Sequence, residues 1–168
     1  MRQNWTVESV PLEDPRAQRL RQAMAEELDP RYADRQWLFE KLASREENPA
    51  GHIAPQTVIT TLLVLDAEGT AAGHGILRDL GGEPEIKRLY VVPEARGKGA
   101  AGVLMQALED HARATGAPRV ILQTGDRQPE AEALYLKRGW TPIPIYWPYR
   151  EMDFSRCYEL TLAYAPPA

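Results

Sequence analysis

Apolar and polar residues alternate from Trp5 to Val10, the period of a half-buried β-strand. Asp14-Pro15 then reads as a helix cap followed by proline at the first helical position. Leu20, Met24 and Leu28 give that helix an apolar stripe at a spacing of four, and Asp29-Pro30 ends it. Gln36 to Ala43 is expected to form a second helix, and Ser44 to Pro55, rich in charge, proline and glycine, a loop. Thr57 to Asp66 is β-branched and leucine-rich, Ala67-Glu68-Gly69-Thr70 turns the chain, and Ala71 to Leu80 returns as the other arm of a hairpin. After a turn at Gly81-Gly82-Glu83-Pro84, the stretch from Glu85 to Val92 adds a third strand to an antiparallel meander, which Pro93-Glu94-Ala95 leaves.

The period then changes to that of a helix. From Gly99 to Thr115, Val103, Leu104, Ala107, Leu108 and Ala112 share one face, opposite Gln106, Glu109, Asp110 and Arg113, until Gly116 and Pro118 stop it. Val120-Ile121-Leu122 is a continuous apolar run, as in a strand covered on both faces, so Glu85 to Thr124 reads as a strand, helix and strand crossover with parallel strands. Pro129 opens a last helix with Ala131, Leu134, Tyr135 and Arg138 on one face, ended by Gly139. Pro142 to Pro148 reads as a stiff loop, and Cys157 to Ala163 alternates as a final strand. The expected class is α/β: a mixed sheet, antiparallel in its first strands and parallel in the later strand-helix-strand unit, with helices on both faces. No repeat, linker or low-complexity tract marks a boundary, so residues 1–168 are expected to form one domain.

Composition narrows the function classes. A net charge of −4, from 20 basic and 24 acidic residues, gives no electrostatic pull toward phosphate backbones or anionic lipid, so neither nucleic acid nor membrane is an expected partner. No run approaches the ~20 apolar residues of a membrane helix. The opening Met1-Arg2-Gln3-Asn4-Trp5 lacks the apolar core of a signal peptide, and the single cysteine, Cys157, agrees with a reducing compartment, so a cytoplasmic location is expected. Cys157 itself, in an alternating strand with no histidine motif nearby, reads as a small buried hydrophobe. His52, His74 and His111 are far apart and unaccompanied at ligand spacing, so no metal is expected.

The densest candidate chemistry is Arg96-Gly97-Lys98-Gly99-Ala100-Ala101-Gly102, between a strand and a helix. Backbone N–H groups of a helix's first turn lack intrahelical partners and can converge on one anion. Glycine removes the Cβ that would block its approach, and Arg96 and Lys98 add charge of the right sign. Gly97, Gly99 and Gly102 also satisfy the dinucleotide fingerprint G-x-G-x-x-G. That fingerprint belongs after the first strand of a parallel sheet, with an acidic residue ending the next strand; here three antiparallel strands precede it and the next strand ends Leu122-Gln123-Thr124. The sequence G-x-x-x-x-G-K-S/T of the nucleotidase phosphate loop is absent.

Two blocks in order carry a family resemblance. Glu85-Ile86-Lys87-Arg88-Leu89-Tyr90-Val91-Val92-Pro93-Glu94-Ala95-Arg96-Gly97-Lys98-Gly99-Ala100-Ala101 resembles the strand and R/Q-x-x-G-x-G/A pyrophosphate loop of the GNAT superfamily of acetyl-CoA-dependent N-acetyltransferases, matched at Arg96, Gly99 and Ala101. Gln128-Pro129-Glu130-Ala131-Glu132-Ala133-Leu134-Tyr135-Leu136-Lys137-Arg138-Gly139-Trp140 is similar to that family's N-x-x-A-x-x-L-Y-x-x-x-G-F, with Gln128 for asparagine and Trp140 for phenylalanine. The resemblance covers roughly Gln56 to the C-terminus.

The resemblance implies acetyl-CoA as cosubstrate, with pantetheine between the splayed strands Glu85 to Val92 and Arg119 to Thr124. Backbone groups at Tyr90, Val91 and Val92 would bind it, the Arg96, Gly97, Lys98, Gly99, Ala100 and Ala101 turn would hold the diphosphate, and Thr124, Gln128 and Ala131 would line the other side. Tyr135 occupies the family's general-acid position, although a tyrosine on the face it shares with Leu134 also reads as core. Glu85 stands where some members place a general base, and is equally a carboxylate able to pair with Lys87. Arg88 reads as a binder of an acceptor carboxylate or as a rim charge, and Tyr149 and Arg150 lie in an aromatic loop, Tyr146 to Asp153, that suits an acceptor-pocket wall or a homodimer contact. The implied reaction is direct transfer of acetyl, in a ternary complex, to a primary amine of a small molecule or peptide. A non-catalytic acyl-CoA-binding or sensor module of the same fold is the alternative.

Overall fold

The structure is a computed structural model in which residues 3–43 and 48–163 are described. Strand β1 (Thr6–Val10) leads to helix α1 (Pro15–Leu28), whose N-cap Asp14 accepts a hydrogen bond from the Arg16 amide at 2.9 Å. Helix α1 does not stop cleanly at Asp29-Pro30. A 3-10 segment, Asp29–Arg35, carries the chain on to helix α2 (Gln36–Ala43). Residues 44–47 of the expected 44–55 loop lie outside the described part.

Strands β2 (Val58–Leu65), β3 (Ala71–Leu80) and β4 (Glu83–Val91) form the expected antiparallel meander. Strand β4 begins two residues earlier than the turn signal suggests. Pro84 pairs with Asp79 of β3 ahead of the first pairing on the other side, so the proline sits at a strand's beginning, where one is tolerated. Helix α3 (Ala100–Ala114) crosses over to β5 (Arg119–Gly125), which runs parallel to β4. Helix α4 (Pro129–Lys137) then precedes β6 (Thr141–Ile143) and β7 (Ser155–Thr161). Strand β6 falls in the segment that reads as loop. As the sheet's edge it tolerates Pro142, because an edge strand has one side with no ladder to complete. The sheet order is β1-β2-β3-β4-β5-β7-β6.

Alternation along β2 sorts side chains to two faces. Leu62 and Val64 pack with Leu104, Met105 and Leu108 of α3 and with Tyr135 and Trp140 around α4, whereas Leu63 packs with Ala17 and Leu20 of α1. A third cluster, Tyr32, Tyr149, Met152 and Phe154, joins the 3-10 segment to the loop before β7. Glu109, expected on the polar face of α3, is instead 2% exposed: Arg138, at the end of α4, reaches its carboxylate at 2.6 and 3.1 Å, which lets the charge be buried.

Candidate active site

Strands β4 and β5 pair at only two positions, Glu85 with Ile121 and Ile86 with Leu122; beyond them β4 follows β3 and β5 follows β7. The cause lies in β4. Between the pairs His74–Tyr90 and Ile76–Lys87, Gly75 faces two residues, Arg88 and Leu89, and Arg88 adopts a left-handed φ of 56°. Such a bulge bends the strand and strengthens its twist. The result is a V-shaped opening in mid-sheet, the floor of a cleft of about 660 Å³ that falls in the range of small-molecule sites.

One wall is the pairing-free side of β4. The Val92 amide donates to the Ala72 carbonyl of β3 at 2.9 Å, so alternation turns the Val91 amide the other way, into the opening. The Val91 carbonyl accepts from Arg96 Nε at 3.0 Å on that same side. Of the expected backbone binders, Val91 alone presents its N–H to the cleft; Val92 is committed to the sheet, and Tyr90 contributes a buried ring beneath Arg96, 5.7 Å from its guanidinium. The opposite wall holds Leu122, Thr124, Ala131 and Tyr135. Gln128 lines it too, donating to the Tyr32 hydroxyl at 3.2 Å rather than projecting freely.

The Tyr135 side chain is buried, against the rings of Trp140 and Tyr158 at 6.1 and 5.8 Å. Among the described residues nothing hydrogen-bonds to its hydroxyl, yet that oxygen is absent from the sealed unpaired polar atoms, Thr61 Oγ1 and Trp140 Nε1, so it opens on the cleft. Burial pushes its pKa above the ordinary phenol value, and it keeps its proton throughout the physiological range.

At the cleft's rim, Gly97 and Gly99 take left-handed φ values of 73° and 92°, which brings the chain sharply into α3. The first intrahelical acceptor is the Gly99 carbonyl, bonded by the Val103 amide at 3.2 Å, so the amides of Ala100, Ala101 and Gly102 precede the ladder and are open to an anion. Ala101 and Arg96 line the cleft; Gly97, Lys98 and Gly99 form the exposed outer turn, and Ala100 is buried in the core. Trp5 holds the turn in place through a hydrogen bond from Nε1 to the Lys98 carbonyl at 2.8 Å. Arg96 is not free: both its NH2 contacts, at 2.7 and 2.9 Å, go to Glu27 of α1.

Glu85 departs most from expectation. Its carboxylate is fully buried and lies off the cleft, accepting from Arg78 Nε at 2.8 Å, Tyr146 at 2.5 Å and Tyr149 at 2.9 Å. It does not pair directly with Lys87. The Tyr149 hydroxyl stands between them, accepting from Lys87 Nζ at 2.8 Å, so Tyr149 is a buried link and not a cleft residue. Lys87 does line the cleft, with burial lowering its pKa to about 7 against the opposing pull of Glu85; Arg88 and Arg78 lower it further, and Cys157 faces the same cluster. Arg88 lines the cleft as well, while Arg150 is exposed and away from it. The loop before β7 contributes Met152 and Phe154 to the cleft lining.

Tyr32 gives no local signal in the sequence. It reaches the cleft from the 3-10 segment, where its hydroxyl accepts from the Arg127 amide and from Gln128, both at 3.2 Å. A Cβ on Gly125 would stand 2.1 Å from that hydroxyl, so the glycine ending β5 is what lets the two meet. Lys87 had a partial signal: it stands two residues from Glu85, on the same face of the strand.

Comparison with known proteins gives a consistent picture. The family model described as "Acetyltransferase (GNAT) family" matches residues 14–140. An IAA acetyltransferase of Azospirillum brasilense is 38% identical over 102 residues, 60% of this chain and 67% of that protein. An N-acetyltransferase of Bacillus subtilis strain 168, itself uncharacterized, is 33% identical over 87 residues, 48% of this chain and 58% of that protein. Among solved structures, a Klebsiella pneumoniae protein assigned to the acyl-CoA N-acyltransferases superposes with a TM-score of 0.73 at 27% identity, covering 95% of this chain and 98% of that one. A Bacillus anthracis protein crystallised in complex with acetyl coenzyme A shares the fold at a TM-score of 0.55 and 16% identity, over 68% of each chain. With the family model spanning most of its length, and with the splayed strands and the turn before α3 in place, the chain belongs to the GNAT family and is an N-acetyltransferase.

Proposed function

We propose that the protein moves the acetyl group of acetyl-CoA directly to a primary amine of a small molecule or peptide, both substrates being bound at once in the cleft. The observation that carries this reading is the opening between β4 and β5, with the Val91 amide on one wall and the Tyr135 phenol on the other. The amides opening α3 fit a diphosphate, and the cleft runs from them to the acceptor end at Met152 and Phe154.

The Val91 N–H donates to the thioester carbonyl and stabilises the oxyanion that forms when the amine attacks. Lys87, held near neutrality, takes the proton that the amine must lose; Tyr149 and Glu85 behind it hold the ε-amine in place and balance the charge it acquires. Glu85 thus serves the base from a distance. As the C–S bond breaks, Tyr135 supplies a proton to the departing sulfur and is reprotonated from solvent.

Replacing Tyr135 by Phe tests the acid role. Because the ring packing is retained, the acetyl-CoA dissociation constant is expected to stay within about two-fold, while kcat falls about 100-fold, the low end for a general acid. The measurement is CoA release over a panel of amines, paired with calorimetry. Unchanged turnover removes Tyr135 from the mechanism.

A further inference from the structure

Two cations that line the cleft have no task in the transfer just described. Arg21 of α1 and Arg88 of β4 line the main cleft and also a second cavity of about 400 Å³ beside it, so they stand on the partition between the two. Arg88 donates once, to the Gly51 carbonyl at 3.2 Å. Arg21 donates to the Leu12 carbonyl at 2.6 Å and meets His74 Nε2 at 2.9 Å. A guanidinium carries five N–H donors, so most of theirs remain for a ligand. Among the described residues no carboxylate is paired with either; Glu13 acts on Arg21, and the Tyr149 phenol on Arg88, only through space. Burial and repulsion from Arg88 hold the Arg21 guanidinium below its ordinary range, and burial with repulsion from Arg78 does the same for Arg88.

His74 locks the pair. It is fully buried, and burial, with both arginines adding to the effect, keeps it neutral with a pKa of about 4. Its Nδ1 therefore donates to the Arg88 carbonyl at 2.9 Å, and its Nε2 accepts from Arg21. One imidazole thereby ties the direction of Arg21 to the left-handed backbone of Arg88. Two half-buried guanidinium groups lining the same two cavities, with no carboxylate paired to either among the described residues, are an arrangement that a ligand's negative charge favours.

On the transferase reading above, we propose that the acceptor is an aminocarboxylate whose carboxylate is received by Arg21 and Arg88 at the junction of the two cavities, leaving its amine on the Lys87 side. The planar fork of a guanidinium matches a carboxylate in two-point contact.

The test uses matched ligands on the whole protein. Calorimetry first establishes acetyl-CoA binding; amino acids and ω-amino acids are then compared with their carboxamides and decarboxylated amines by CoA release, and by titration of each acid into the CoA-saturated protein. The free acids are expected to be acetylated with kcat/KM at least about 100-fold above their carboxamides, since a site built to pair with a ligand group rejects the analogue that lacks it. Arg88→Gln and Arg21→Gln are each expected to lower kcat/KM for the acids about 30-fold or more while the acetyl-CoA dissociation constant stays within two-fold, on the scale of a lost charge-assisted contact. Arg21→Lys keeps the charge without the fork, and partial recovery in it would support the contact. Arg150→Gln, on an exposed side chain away from the cleft, should change nothing. Carboxamides or decarboxylated amines that react as well as the acids overturn the inference and leave the transferase standing. So does failure of every acid both to bind and to react with a protein that binds acetyl-CoA. Absence of acetyl-CoA binding would instead strike the transferase reading itself.

Discussion

Lys87 shows how one side chain's surroundings set its chemistry. An exposed lysine is charged at neutral pH and useless as a base. Here burial lowers the ammonium's pKa to about 7, Arg88 and Arg78 push the same way, and Glu85, reached through Tyr149, pulls back without restoring the ordinary value. The sign follows directly: below about pH 7 the amine is protonated and cannot accept a proton; above it the free base is present. The kcat/KM profile is therefore expected to rise through pH 7, and Lys87→Met should lower the plateau about 100-fold and remove that limb. A Lys87→Met enzyme that keeps both rate and profile would contradict the assignment. Tyr135 shows the opposite use of burial, which makes a phenol hold its proton more firmly.

Among the elements, the turn into α3 is the proposed seat of the coenzyme's diphosphate, and a residue far away in sequence secures it. Trp5, just before β1, donates to the Lys98 carbonyl at 2.8 Å and fixes the direction of the turn that carries the unpaired amides. A net hydrogen bond is worth about 1 kcal/mol, so Trp5→Phe is expected to weaken acetyl-CoA binding about five-fold, with little change in kcat, measurable by calorimetry beside steady-state kinetics. The helices were legible because their faces repeat at 3.6 residues and their ends carry Asp14-Pro15, Gly116 and Gly139. The sites of failure have physical reasons. Pro84 and Pro142 look like breakers but sit at a strand's start and on the sheet's edge, where position within the sheet decides and local sequence does not. Glu109 looks solvated, yet Arg138, 29 residues on, buries it.

Across the whole molecule, the same pattern separates what sequence could and could not tell about the site. The glycine turn and Tyr135 lie in contiguous motifs, and Arg96, Ala101, Thr124, Gln128, Ala131 and Tyr135 line one cleft. Tyr32, Trp5, Arg21 and His74 come from other parts of the chain and meet the site only through folding, with no local spacing to announce them. Glu85, in turn, stands at the expected strand position but is diverted by Arg78, Tyr146 and Tyr149 into a buried network. The layered fold makes these meetings possible: helices α3 and α4 seal one face, α1 packs on the other, and the bulge at Arg88 opens the sheet between them.

The central claim is that acetyl-CoA lies in that opening with its diphosphate on the amides that begin α3. Ala101→Glu tests it most directly, because a carboxylate in the first turn favours the helix itself while repelling a second anion from the same amides. Titration of acetyl-CoA into the wild-type protein is expected to show one site per chain. In the folded variant the dissociation constant should rise at least about ten-fold, an effect of about 1.4 kcal/mol. No binding to the wild type, or equal affinity in the variant, would contradict the account.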